Sequence, residues 1–91
     1  MSPIVHKLYF DEQVQSLGFH FATGRASVGV VLPGSYDFGI VQTSESITIT
    51  SGHLQINGQD YRSGETCTVQ FGDHVAITAA VASSYLCLYG Q

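Results

Sequence analysis

The dipeptide Asn57-Gly58, set between Leu54-Gln55-Ile56 and Asp60-Tyr61-Arg62, constrains the fold of this chain more than any other feature. Both residues tolerate positive φ, which a two-residue type I′ turn demands at its two central positions. A tight β-hairpin is the expectation there. Similar punctuation recurs at Thr23-Gly24, Pro33-Gly34, Ser51-Gly52, Ser63-Gly64 and Gly72-Asp73, with Ala82-Ser83-Ser84 near the end. The runs between these turns are rich in Val, Ile, Thr, Tyr and Phe, the residues that fit a pleated, half-buried surface. Ile47-Thr48-Ile49-Thr50, Leu54-Gln55-Ile56 and Cys67-Thr68-Val69-Gln70-Phe71 alternate apolar and polar residues, so each presents one apolar face to a core. Val30-Val31-Leu32 is continuously apolar, a pattern that leaves the facing of Val28 to Leu32 open between burial on one side and on both. Residues 10–17 are compatible with a single helical turn, and no segment carries a helical period with caps at both ends. Many short strands joined by regular turns predict an all-β sandwich or barrel.

At 91 residues the chain is one domain, 1–91, small enough that a partner subunit would help stabilise it. Residues 1–8 are expected to form a flexible or edge-pairing N-terminal segment. The formal net charge is −4, and Lys7, Arg25 and Arg62 are the whole cationic complement. A nucleic-acid binder needs clustered cations to displace counterions from phosphates, so that class of partner is excluded. No stretch is apolar for long enough to act as a signal peptide or to span a bilayer. Without a secretion signal, Cys67 and Cys87 are expected to be free thiols in a cytoplasmic protein with no membrane partner.

Glu45, six residues and then Gly52 at a strand-to-turn junction, followed by Gly64 after the hairpin, resembles the paired motifs of cupins. That resemblance implies an antiparallel β-barrel of the jelly-roll type. In metal-binding cupins an acidic residue at the Glu45 place joins two histidines shortly before it and a third from the second motif. Here the upstream places fall among Phe38, Gly39, Ile40 and Val41, whose side chains bind no metal. The third falls near Val75. His74 is one residue away, and a one-residue offset on a strand turns a side chain to the opposite face. Glu45 and His74 supply at most two of the three ligands that a catalytic metal usually needs, so no metal site is expected. His6, His20 and His53 read as solvated, with His20 on a polar face alternating with Phe19 and Phe21.

A more specific resemblance is carried by Ser16-Leu17-Gly18-Phe19, by Thr23-Gly24-Arg25-Ala26-Ser27-Val28-Gly29-Val30 and by Gly34-Ser35-Tyr36-Asp37-Phe38. It continues through Glu45-Ser46-Ile47-Thr48-Ile49-Thr50-Ser51-Gly52 to Ser83-Ser84-Tyr85-Leu86-Cys87. In this order and spacing the blocks look like the pyrimidine/purine nucleoside phosphorylase family of small cupin-like proteins. The resemblance implies a metal-free homodimer of broad specificity, which converts a nucleoside and inorganic phosphate to free base and ribose 1-phosphate. It implies no cofactor; phosphate is the co-substrate.

Such a reaction needs an anion site, stabilisation of positive charge on the sugar, and help for the departing base. Arg25 is the candidate phosphate anchor, because a guanidinium fork matches phosphate oxygens. Thr23, Ser27 and the amides near Gly24 are candidate neutral donors beside it. On residues alone, Arg25 fits equally well as a partner for a surface carboxylate. Glu45 faces the interior if Ile47 and Ile49 do, and as a carboxyl at the mouth of an apolar cavity it is the second catalytic candidate. Otherwise it is an exposed group at a strand edge. Tyr36, Phe71 and Tyr85 are candidates for stacking on a base, with Phe38 also weighed, and Gln70 for bonding a base edge.

Overall fold

The computed structural model describes residues 4–22 and 24–90, and every regular element in them is a β-strand. The strands are β1 (Ile4–Tyr9), β2 (Val14–Phe21), β3 (Gly24–Val31), β4 (Gly34–Ile40), β5 (Glu45–Ser51), β6 (His53–Ile56), β7 (Gln59–Arg62), β8 (Thr66–Val69), β9 (His74–Ala79) and β10 (Ser83–Tyr89). All pairings are antiparallel. They build a six-stranded sheet in the order β1-β2-β3-β10-β5-β8 and a four-stranded sheet in the order β4-β9-β6-β7. The expected cupin-like antiparallel fold is present, as two facing sheets rather than one closed barrel. No helix long and apolar enough to cross a membrane occurs among the described residues.

The alternating runs bury the faces that their period requires. Ile47 and Ile49 of β5, Leu54 and Ile56 of β6, Cys67 and Val69 of β8, and Val75, Ile77 and Ala79 of β9 all enter one core between the sheets. Asn57 and Gly58 have φ of 51° and 82°, and β6 and β7 pair on either side of them, as the hairpin signal requires. The Asn57 side chain extends this turn to the next strand. Its amide donates to the His74 carbonyl at 2.8 Å, and its oxygen accepts from the Ala76 amide at 2.9 Å.

One expectation needs correction, and one open facing is settled. Residues 10–17 form no helical turn: Phe10, Asp11 and Glu12 have φ of 52°, 54° and 70°, and they turn β1 directly into β2. The weak apolar spacing there belongs to a strand, because Val14 and Ser16 face inward two residues apart. Val30-Val31-Leu32 is buried on one side only. Val31 is fully buried, whereas Val30 and Leu32 are 48% and 40% exposed on the outer side. Sequence pattern alone cannot separate a doubly buried strand from one whose outer face is simply apolar. Ile4–Tyr9 pairs with β2 along its whole length, from Ile4 opposite Phe19 to Tyr9 opposite Val14, and forms an edge of the large sheet.

Candidate active site

Strand register places the polar candidates in one row. On the inner face of the large sheet, Arg25 of β3 lies opposite Tyr89 of β10, and Tyr89 lies opposite Glu45 of β5. The guanidinium carbon of Arg25 sits 4.2 Å from the centre of the Tyr89 ring, a cation–π contact. Arg25 makes no ion pair with any described carboxylate. The specific block of β3 now has a physical reason. Its inward positions are Arg25, Ser27 and Gly29, and each fits an inward residue of β10. Arg25 covers the Tyr89 ring, and the Ser27 hydroxyl bonds the Tyr89 hydroxyl at 2.8 Å. Gly29 leaves room for Tyr85. A Cβ at position 29 would lie 2.5 Å from the Tyr85 hydroxyl oxygen, well inside contact distance.

These residues line a cavity of about 330 Å³ between the two sheets. Its large-sheet wall carries Arg25, Glu45, Tyr85, Cys87 and Tyr89, with Ser16, Lys7 and Tyr9 toward the β1 edge. The opposite wall is mostly carbon, from Phe38, Ile40, Val41, Val75 and Ile77, with Gln42 at its end. Burial raises the Glu45 pKa above the ordinary carboxyl value, against the opposing effects of the Cys87 thiol and Arg25. That thiol donates to Glu45 Oε1 at 3.4 Å. Burial and the neighbouring carboxyl push Cys87 up to about 12, so at neutral pH it is a thiol donor. The Tyr89 phenol is pushed up to about 12, chiefly by burial, and burial likewise raises Tyr85. Both tyrosines therefore stay protonated as neutral donors.

The other sequence candidates separate. Ser27 is buried and its hydroxyl is committed to Tyr89, so it positions a wall residue and does not itself line the cavity. Tyr36 is a core residue: its hydroxyl donates to the Leu32 carbonyl at 2.7 Å and to the Pro33 carbonyl at 3.2 Å. Gln70 and Phe71 lie in the exposed turn between β8 and β9, and neither side chain lines the cavity. Phe71 is 71% exposed. Thr23 lies outside the described residues. Sequence reasoning missed Lys7, Tyr9 and Tyr89. Tyr89 was recoverable, because Tyr85, Cys87 and Tyr89 share one strand face at period two. Lys7 and Tyr9 were not, since nothing local says which strand their segment joins. His20 is exposed, as expected, and the register sets it opposite Arg25, on the face of β2 opposite to Phe19 and Phe21.

The ligand set of a metal-binding cupin does not fit this cavity. Phe38, Ile40 and Val41 contribute carbon at the upstream histidine places, and Val75 faces the cavity at the third. His74 is exposed and bonded to Asp37 at 2.7 Å. Among the described residues no group of three or more His, Cys, Asp or Glu side chains is disposed to hold a metal ion.

Two facing antiparallel sheets around an internal cavity define a cupin-like fold. A cupin-2 domain from Rhodospirillum rubrum superposes with a TM-score of 0.74 at 16% identity, over 96% of this chain and 69% of that one. Residues 4–89 match the family described as Pyrimidine/purine nucleoside phosphorylase. A protein of that name from Alcanivorax borkumensis is 36% identical over 89 residues, 91% of this chain and 94% of its own length. A crystal structure of a Vibrio parahaemolyticus protein of unknown function is similar at a TM-score of 0.86 and 35% identity, over 96% of this chain and 98% of that one. The chain belongs to the pyrimidine/purine nucleoside phosphorylase family.

Burial of Glu45 has a consequence for stability. A carboxyl whose pKa is higher folded than unfolded contributes its full stability below the unfolded value and loses it as pH rises through the folded value. The difference in unfolding free energy between Glu45→Gln and wild type should therefore shift in favour of the variant as pH rises above the ordinary carboxyl value of about 4. Urea unfolding at a series of pH values measures it. A difference that stays constant as pH rises contradicts a raised Glu45 pKa.

Proposed function

We propose that the protein is a broad-specificity nucleoside phosphorylase acting without metal or cofactor, on purine or pyrimidine nucleosides and inorganic phosphate. The observation that carries this reading is one cavity taking two of the chain's three cations, Lys7 and Arg25, on the same wall as a half-buried carboxyl. Its volume of about 330 Å³ is within the range of small-molecule sites, roughly 300–1,000 Å³. With two cations on this wall, no basic face remains for a nucleic acid.

Arg25 binds phosphate through its guanidinium, with Lys7 adding charge from the β1 edge. A phosphate oxygen forms the new bond to C1′ of the ribose. The bond from C1′ to the base nitrogen breaks, its electron pair leaves with the base, and the base takes up the proton that hydrogen phosphate loses on forming the ester. Ionised Glu45 stabilises the positive charge that develops on the sugar in between, and a low local dielectric strengthens that effect. Tyr85 and Tyr89, neutral donors at working pH, supply hydrogen bonds to sugar oxygens. The products are the free base and ribose 1-phosphate, and the setting is the cytoplasm, where two unpaired cysteines persist as thiols.

The active form proposed is a homodimer. On the outer face of the six-stranded sheet, the register turns Leu8, Leu17, Val28 and Val30 outward, and each is at least 40% exposed. None of the outward strand positions of that sheet is Lys, Arg, Asp or Glu. The chain carries −4 overall, so two copies meeting there avoid their mutual repulsion.

Purified protein incubated with inosine or uridine should release free base only when phosphate is present, and a chelator should not change the rate. Arg25→Ala should raise KM for phosphate at least tenfold, the scale of a lost charge-assisted contact. Glu45→Gln should lower kcat and remove the rise in rate with pH that follows Glu45 ionisation. Absence of release from any common nucleoside would favour a non-catalytic metabolite-binding dimer. Sedimentation should give twice the 9.8 kDa chain mass, and Val28→Lys should give the single mass. A monomeric wild type contradicts the dimer.

A further inference from the structure

The carbon wall of the cavity contains one irregularity. The pairing of β4 with β9 shifts register between Asp37 and Gly39, leaving Phe38 as an extra residue in a β-bulge. Gly39 completes the bulge at φ +77°, a conformation that favours glycine. Asp37 fastens it on both sides. Its Oδ1 accepts from the Gly39 amide at 2.8 Å and lies 2.7 Å from His74 Nε2 on the neighbouring strand. Bulges of this kind re-aim a side chain next to a site.

Here the group at the bulge is the Phe38 ring. It lines the cavity and is 37% exposed, whereas Val41, Val75 and Ile77 of the same wall are buried. Tyr9 and Phe10 brace it, with ring centres at 6.2 and 5.2 Å and ring planes inclined at 69° and 81°. Neither neighbour lies in parallel stack on it. Arg25, Lys7 and Glu45 occupy the opposite wall. A ligand with an anionic end and a flat apolar end therefore has only one good orientation, with its flat end against the four-stranded sheet.

We infer that Phe38 is the platform on which the nucleobase stacks, held in place by the Asp37–Gly39–His74 buckle, and that stacking is what sets base tolerance. This inference rests on the phosphorylase reading and deepens it. Every base has a π-face, so stacking accepts purines and pyrimidines alike. Around Phe38 the wall is Ile40, Val41, Val75 and Ile77, whose side chains offer a base edge no hydrogen bonds, and the one amide, Gln42, lies at its end. Selectivity on such a wall follows ring area, and purines bind more tightly than pyrimidines. Asp37 and His74 act only through the ring, as positioning residues.

Steady-state kinetics of Phe38→Ala with inosine and uridine test the platform. KM for both nucleosides should rise about tenfold or more, the scale of a lost base–aromatic stack, while KM for phosphate stays within twofold. Phe38→Leu keeps most of the volume without the π-face and should show the same loss if the alanine variant does not fold. Phe38→Tyr should restore wild-type KM. Asp37→Ala should raise nucleoside KM less, and Asp37→Asn, which still accepts from the Gly39 amide, should recover part of it. Equilibrium dialysis with adenine and uracil separates this inference from the reading beneath it. Binding that depends on Phe38 in a protein without turnover would sink the phosphorylase and keep the platform. Turnover with nucleoside KM unchanged in both the alanine and leucine variants would overturn the platform and keep the phosphorylase. A protein that neither binds base nor turns over overturns both.

Discussion

The packing of β3 against β10 is the constraint on which the rest of the site depends. Arg25, Ser27 and Gly29 stand at alternate positions and so share one face, where each meets a tyrosine of the last strand. The large ring of Tyr85 occupies the space a side chain at position 29 would need, and Tyr89 is held at its hydroxyl by Ser27 and over its ring by the Arg25 guanidinium. Because β10 pairs with β5 on its other side, the same contacts set where Glu45 stands relative to Arg25. Cation and carboxyl thus hold a fixed separation, spaced by a neutral ring, and do not collapse into an ion pair. A direct pair would neutralise both groups and leave little field for a ligand.

The two walls of the cavity differ in kind. Charge and hydroxyls lie on the six-stranded sheet, and carbon lies on the four-stranded sheet where metal-binding members of the fold place histidines. Phe38, Ile40 and Val41 line the cavity with carbon, and burial raises the Glu45 pKa by desolvation. The same desolvation strengthens whatever the remaining charges do. In the proposed reaction the protein uses that field where other cupins use an ion.

Much of this was legible in the sequence. The Asn57-Gly58 turn, the alternation in β5, β6 and β8, and the inward face of Glu45 all follow from local rules, and they are local features. Arg25 was found because cations are so scarce. Residues placed by long-range register were harder. Lys7 and Tyr9 reach the cavity only because β1 pairs with β2, and no residue in β1 encodes that partner. Tyr36 was misassigned because a buried phenol and a site phenol look alike in sequence; only the carbonyls of Leu32 and Pro33, four and three residues back, distinguish them. Phe38 was weighed and passed over because Tyr36 and Tyr85 carry hydroxyls that want partners. Period two puts Phe38 on the inner face with Tyr36, and the bulge after Asp37 shifts the phase only beyond it, burying Val41 in place of Ile40.

The most direct test of the account is where inorganic phosphate binds. Amide chemical shifts recorded while phosphate is titrated into the protein should change saturably at Lys7, Arg25 and Tyr89, and the change should vanish in Arg25→Ala. Shifts confined to the outer sheet face, or none that saturate, would contradict a cavity built to hold an anion beside a carboxyl.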